Sequence, residues 1–269
     1  MVMMDPSNQH ALYKMDLEYG KIVDEWKVHD DVEVANVVPD SKYAQMTPQQ
    51  TLIGHSHNSV YRIDPRLAGQ KLVDAQFKQY TAKNDFSAAT TDDRGRLAVA
   101  SNKGDIRLFD QIGKNAKTAL PALGDPIIGV DVTADGRYVV ATCKTYLLLI
   151  DTLIGDGRYK GSLGFDRAFP ADSKPIPRRL QLKPHHVAYM DQEVSFTPAR
   201  FDNARRQRRD IHRLGHGLLH CLVAPRARQE GQNRRLHAPQ ARRHRRRGQL
   251  CLWLLQQHRA YSFRSLIWT

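Results

Sequence analysis

Residues 85–110 read DFSAATTDDRGRLAVASNKGDIRLFD, and residues 127–151 read IIGVDVTADGRYVVATCKTYLLLID. At an offset of 41, Gly95 falls on Gly136, Arg96 on Arg137, Val99 on Val140, Ala100 on Ala141 and Asp110 on Asp151. Each unit divides into three short strands. One precedes an Arg-Gly or Asp-Gly turn, an apolar one follows it, and the third ends in aspartate. Glycine belongs at these turns because it accepts the positive φ of a tight hairpin. Ile106 and Leu108 alternate with Arg107, Phe109 and Asp110, as in a strand with unlike faces. Tyr146 to Ile150 is continuously apolar, as in a strand buried on both sides.

The same ending recurs upstream, in SVYRID at Asp64 and ALYKMD at Asp16. The four aspartates are separated by 48, 46 and 41 residues. A period of this length with several strands per unit predicts an all-β chain built as a β-propeller. Each small sheet then buries its faces against its neighbours. A β-sandwich, or a set of unrelated hairpins, is the competing reading. No stretch before residue 200 has the apolar spacing of a long helix, and Pro65, Pro170, Pro175 and Pro177 mark connections. Asn8 to Asp16 reads as the end of a blade whose earlier strands are missing. About three blades follow to Asp151, and Leu180 to Phe201 begins another, so the ring is expected to be incomplete.

Charge divides the chain at the same place. Residues 1–200 carry 25 basic and 25 acidic side chains, whereas residues 201–269 carry sixteen arginines, three acids and no lysine, the source of the whole +13. The expected domains are therefore a partial propeller over 1–201 and an arginine-rich, disordered tail over 202–269. Arginine's G/C-rich codons make out-of-frame translation the leading explanation of that tail. Its alternative use is nucleic-acid binding, in which Arg205, Arg206, Arg208, Arg209, Arg242, Arg243, Arg245, Arg246 and Arg247 contact phosphates. That chemistry is nonspecific, since no stacking platform or recognition module accompanies it. His216, His220, Cys221, Cys251 and His258 lack the spacing of paired zinc ligands, so no metal is expected.

Three cysteines, Cys143, Cys221 and Cys251, are too few and too scattered for a disulfide framework. The opening MVMMDPSNQH has no basic segment followed by an apolar one, so no secretory signal is expected. No apolar run is long enough for a transmembrane segment. The cytoplasm is the expected location, or the nucleus if the arginine tail acts as an import signal.

Catalytic patterns are missing from residues 1–200. Asp92 and Asp93 sit in a hairpin turn, where aspartate accepts backbone hydrogen bonds. Asp31 and Glu33 read as solvated. His55 and His57 fit one face of a strand but lack a third ligand, while His185 and His186 would point oppositely if extended. Cys143 reads as a buried small residue, and GKNAKTAL at Gly113 is not a phosphate loop. Asp16, Asp64, Asp110 and Asp151 are expected to accept backbone N–H groups at strand ends, beside the turn glycines Gly95 and Gly136. No enzyme, cofactor or small-molecule substrate is expected.

The chain resembles the C-terminal WD40-like propeller domain of the Vid27 family. The resemblance is carried by LYKMDLEYGKIVDEWKVHDD from Leu12, VYRIDPRL from Val60, the long stretch from Phe86 to Thr152, and PIPRRLQLKPHHVAYM from Pro175. It covers about residues 8 to 201. It implies a longer protein with a pleckstrin-homology-like module ahead of the propeller. It also implies a cytoplasmic regulatory role in vacuolar import and degradation, exercised through protein partners, with no catalytic residues to carry over. After Phe201 the family pattern leads one to expect a threonine- and valine-rich pair of strands, where this chain has DNARRQRRDIHRLGHGLLH.

Overall fold

The computed structural model describes residues 1–42, 50–122, 124–182, 184–188, 194–201, 219–220, 252–256, 259–263 and 267–268. Strands β1 (Val2–Asp5), β2 (Asn8–Asp16) and β3 (Lys21–Lys27) form a three-stranded antiparallel sheet. The second sheet has four strands, β4 (Asn36–Pro39), β5 (Leu52–His55), β6 (Ser59–Ile63) and β7 (Leu72–Gln79). The third repeats this order with β8 (Phe86–Thr91), β9 (Leu97–Ser101), β10 (Ile106–Phe109) and β11 (Thr118–Leu120). The fourth contains β12 (Ile127–Val132), β13 (Tyr138–Cys143), β14 (Tyr146–Asp151) and β15 (Arg178–Gln181).

After a five-residue helix α1 (Pro184–Ala188), β16 (Arg200–Phe201) pairs with β17 (Leu219–His220). Farther on, β18 (Leu252–Gln256) pairs with β19 (Arg259–Phe263), and β20 (Ile267–Trp268) pairs with β15. The reading of 202–269 as a tail without regular structure falls otherwise outside the described residues.

Packing follows sequence order. Leu12, Trp26 and Val28 of the first sheet cluster with Tyr61, Ile63 and Leu72 of the second. Ile53 and Val60 of the second meet Leu97, Val99 and Phe109 of the third. Ile106 and Leu108 turn the other way, into a cluster with Val130, Val139 and Leu148 of the fourth. The alternation in β10 thus feeds two different interfaces, and the continuous burial of Tyr146 to Ile150 has the same cause. Burying one such Leu or Ile side chain contributes about 1.5–3 kcal/mol. Among the described residues a core cluster joins each sheet to the next but none joins the first to the fourth, so the array of blades is open.

Inner strands lie side by side, β4 against β8 and β8 against β12. A buried carboxylate ties them together. Asp131 on β12 receives the Lys42 ammonium from the connection after β4 and a hydrogen bond from Thr90 Oγ1 on β8 at 3.3 Å. Phe201 N donates to it at 2.8 Å. Burial outweighs the attraction of Asp131 and draws the Lys42 ammonium below its ordinary pKa.

Three sequence expectations need correction. The repeat contains four strands, because an outer strand (β7, β11 or β15) follows each terminal aspartate. These strands bury few side chains and so lack an apolar signature. Leu180 does not open a further blade; it pairs with Leu147 inside the fourth sheet. The segment that covers that sheet is Val194 to Phe201, whose Val194, Phe196, Ala199 and Phe201 join Leu147 and Leu149. Upstream, β1 pairs with β2, so Asn8 to Asp16 is preceded by one strand of its own sheet.

A polar cleft across three blades

In the second, third and fourth sheets the first-to-second and third-to-fourth connections leave from the same end. That end gathers Asp40 after β4, Arg94 to Arg96 between β8 and β9, and Asp110 to Ile112 after β10. Asp166, from the long connection between β14 and β15, joins them. With Arg62 on β6 and Gln76 on β7 they line a cleft of about 540 Å³.

Arg96 is the best-held group in it. The Asp92 carboxylate accepts from Arg96 Nε at 2.6 Å, from Arg96 N at 2.8 Å and from Arg94 N at 2.9 Å. Arg96 Nη1 donates to Asp166 Oδ2 at 2.9 Å, Nη2 to the Asp135 carbonyl at 2.9 Å, and the guanidinium lies over the Phe165 ring at 5.2 Å. Asp92 is fully buried and Arg96 nearly so, and a buried ion pair is tolerable only when its remaining hydrogen-bonding capacity is filled. Gly136 makes the room, because a Cβ there would lie 2.2 Å from Arg96 Nη2. Arg137, its counterpart one repeat on, has no such roof. It stays exposed, 3.6 Å from Asp151 and over Tyr138.

The rest of the cleft is less fully paired. Arg62 Nη2 donates to Asp40 Oδ1 at 2.8 Å, but Arg62 Nε is buried without a partner, as is Gln76 Oε1. The Arg94 side chain is exposed, and no hydrogen bond or ion pair reaches it among the described residues. Gly113, at φ +84°, sets the loop after Asp110 onto β7: a Cβ there would stand 3.2 Å from Gln76 Cα.

The repeat aspartates divide. Asp16 Oδ1 accepts from Glu18 N at 2.8 Å, Asp64 Oδ1 from Arg66 N at 3.0 Å, and Asp151 Oδ1 from Leu153 N at 3.0 Å. Asp64 is also held by the Arg66 side chain, which lowers its pKa to about 2. Asp110 takes no such bond among the described residues and lines the cleft instead. Gly95 and Gly136 occupy their turns at φ +78° and +77°.

Other candidates are dispersed. His55 is buried while His57 is exposed, 3.1 Å from Asp85, so the two rings do not make one site. Cys143 is buried, and desolvation pushes its thiol up. His185 and His186 fall in α1, not in an extended segment. The loop at Gly113 leads into β11 rather than a helix. Among the described residues no three His, Cys, Asp or Glu side chains group as a metal site, and no helix is long and apolar enough to cross a membrane. The nine tail arginines from Arg205 to Arg247 named above lie outside the described residues, as do His216, Cys221, Cys251 and His258. Arg62, Gln76, Asp40 and Asp166 carried no signal in the sequence, since their proximity exists only once three sheets are assembled.

The model of the VID27 C-terminal WD40-like domain matches residues 1–212. Over 197 residues the chain is 67% identical to vacuolar import and degradation protein 27 of Schizosaccharomyces pombe, covering 72% of this chain and 25% of that protein. Against the protein of the same name from Saccharomyces cerevisiae it is 40% identical over 207 residues, covering 75% and 26%. The chain spans about a quarter of the length of these curated relatives. Among solved structures, Raptor of Chaetomium thermophilum aligns over 71% of this chain and 16% of its own, with a TM-score of 0.49 and 11% identity. A complex of KlAtg21 with the coiled coil of AgAtg16 aligns over 75% and 57%, at 0.46 and 13%.

Proposed function

Because this chain belongs to the VID27 family through the C-terminal WD40-like domain, we propose that it is a noncatalytic protein-binding module serving vacuolar import and degradation. The observation that carries the reading is the open array of rigid sheets whose connections converge on one face and frame a polar cleft. Propellers hold partners on such loop faces without a reaction centre. The binding unit is residues 1–201, and residues 202–269 form a separate arginine-rich segment. The module acts in the cytoplasm.

Cross-linking followed by mass spectrometry of the tagged chain in cells tests this reading. Recurrent protein partners cross-linked through residues 1–201, with a cytoplasmic fluorescent signal, are expected. Small-molecule turnover by the purified chain, or cross-links to nucleic acid alone, would replace the reading. The second outcome has a specific basis, since sixteen arginines face three acids after residue 200. Binding of that kind would weaken steeply with salt and would not distinguish among sequences.

A further inference from the structure

We infer that the cleft across the second, third and fourth sheets is a peptide-binding site for a segment that carries one basic and one acidic side chain. The inference rests on the protein-binding reading above and assigns it a place and a chemistry.

Charge comes first. Asp40, Asp110 and Asp166 stand against Arg62, Arg94 and Arg96, so the lining has no net charge. A phosphate or polyanion entering it would meet three carboxylates, and a polycation three guanidinium groups. Four of these six are already committed: Arg96 to Asp166, as well as to Asp92 outside the lining, and Arg62 to Asp40. Asp40 and Asp166 are the acceptors in those pairs. That leaves one side chain of each sign, Arg94 and Asp110, without an ion pair among the described residues. A ligand bearing both charges complements them, whereas like-charged ligands are rejected by one or the other.

Hydrogen bonding points the same way. Arg62 and Gln76 both line the cleft, and each keeps one buried, unpartnered atom, the donor Arg62 Nε and the acceptor Gln76 Oε1, which a shift of these half-buried side chains would bring to a ligand. Buried polar atoms are nearly always satisfied. A peptide unit supplies one carbonyl acceptor and one N–H donor, the complement of that pair. The departure of Asp110 from its repeat partners adds a third reason. At Asp16, Asp64 and Asp151 the turn consumes the carboxylate, while at Asp110 it remains available to a ligand. The volume, about 540 Å³, falls within the roughly 300–1,000 Å³ of ordinary ligand sites.

An array of tetrapeptides tests the inference, with one Lys or Arg and one Asp or Glu in every relative position, beside all-basic, all-acidic and uncharged controls. The purified chain is expected to select mixed-charge members over all controls. Fluorescence anisotropy on the best member should then show at least a tenfold loss of affinity in Asp110→Asn and in Arg94→Gln. Both side chains are unpaired, so neither substitution threatens the fold, which circular dichroism verifies. The double variant Asp110→Lys with Arg94→Glu should prefer the reversed charge order. No selection over controls, preference for the all-acidic set, or affinity unchanged in both single variants would overturn the inference. In-cell cross-linking with the same variants separates the two levels. Partners retained in full by Asp110→Asn and Arg94→Gln would remove the cleft and leave the protein-binding reading standing. Absence of partners from the unaltered chain would remove that reading itself.

Discussion

His55 closes β5 with its ring buried, Nδ1 3.3 Å from the Ser56 carbonyl and Nε2 without a partner. Burial lowers its pKa from 6.5 to about 4. The unfolded chain therefore takes up this proton first as the pH drops. The stabilising effect is complete above about pH 6.5 and is lost progressively as pH falls toward 4, amounting to about 3 kcal/mol. Asp64, lowered to about 2, contributes above 3.8 and loses its contribution between 3.8 and 2, so it acts below the His55 window. Urea unfolding across pH 4 to 7 should show the slope in the unaltered chain and its loss in His55→Leu. A slope that survives the substitution would assign it to another group. The Asp92–Arg96 pair yields a second expectation. Asp92→Ala leaves a buried guanidinium with one partner fewer and two backbone N–H groups unpaired, costing about 3–5 kcal/mol. Denaturant midpoints measure this, and a loss below 1 kcal/mol would mean that water reaches Arg96.

Turns explain why the repeat could be read at all. Gly136 and Gly20 both have positive φ, +77° and +63°, but only the first is also crowded. Nothing lies within 4 Å of a Cβ built at Gly20, so Gly20→Ala should cost only the left-handed backbone penalty, about 1–2 kcal/mol. At Gly136 the same Cβ meets Arg96 Nη2 at 2.2 Å and Asp92 Oδ2 at 2.8 Å, so Gly136→Ala must also displace a buried ion pair. Its loss of stability should exceed that of Gly20→Ala by at least 2 kcal/mol, of the order of an over-packed core; equal losses in thermal unfolding would contradict this. The glycines and inner strands were legible because φ > 0 and burial restrict residue choice. The outer strands were not. β7 alternates exposed and half-buried residues without a clean period, β11 has three residues, and two of the four in β15 are exposed arginines. A strand that covers little selects little, which is why Leu180 could be read as starting a blade.

Assembly of the sheets creates what the chain keeps hidden. The repeat of Gly95 and Gly136 and of Asp110 and Asp151 foretold stacked sheets, yet the cleft joins Arg62, Arg96 and Asp166, which no local motif connects. Only the sheet ends bring them together, and only packing shows that Asp110 differs from Asp151. Asp131 illustrates the same point at the inner strands, within a stretch that reads as simple strand. It links Lys42 in the connection after β4, Thr90 on β8 and the backbone at Phe201, so one carboxylate on β12 braces three other inner segments. Sheets stacked in a row depend on their neighbours for stability. Asp131→Ala removes the carboxylate that offsets the half-buried Lys42 ammonium and leaves the buried Phe201 N–H without its acceptor, a change worth about 3 kcal/mol. Its effect should spread along the inner strands rather than stay on β12. Hydrogen exchange in the variant is expected to accelerate at Phe86–Thr91, Ile127–Val132 and Ala199–Phe201, with little change at Asn8–Asp16 in the first sheet. Acceleration confined to Ile127–Val132 would show that each sheet stands alone, and uniform acceleration through Asn8–Asp16 would show that all four unfold as one unit.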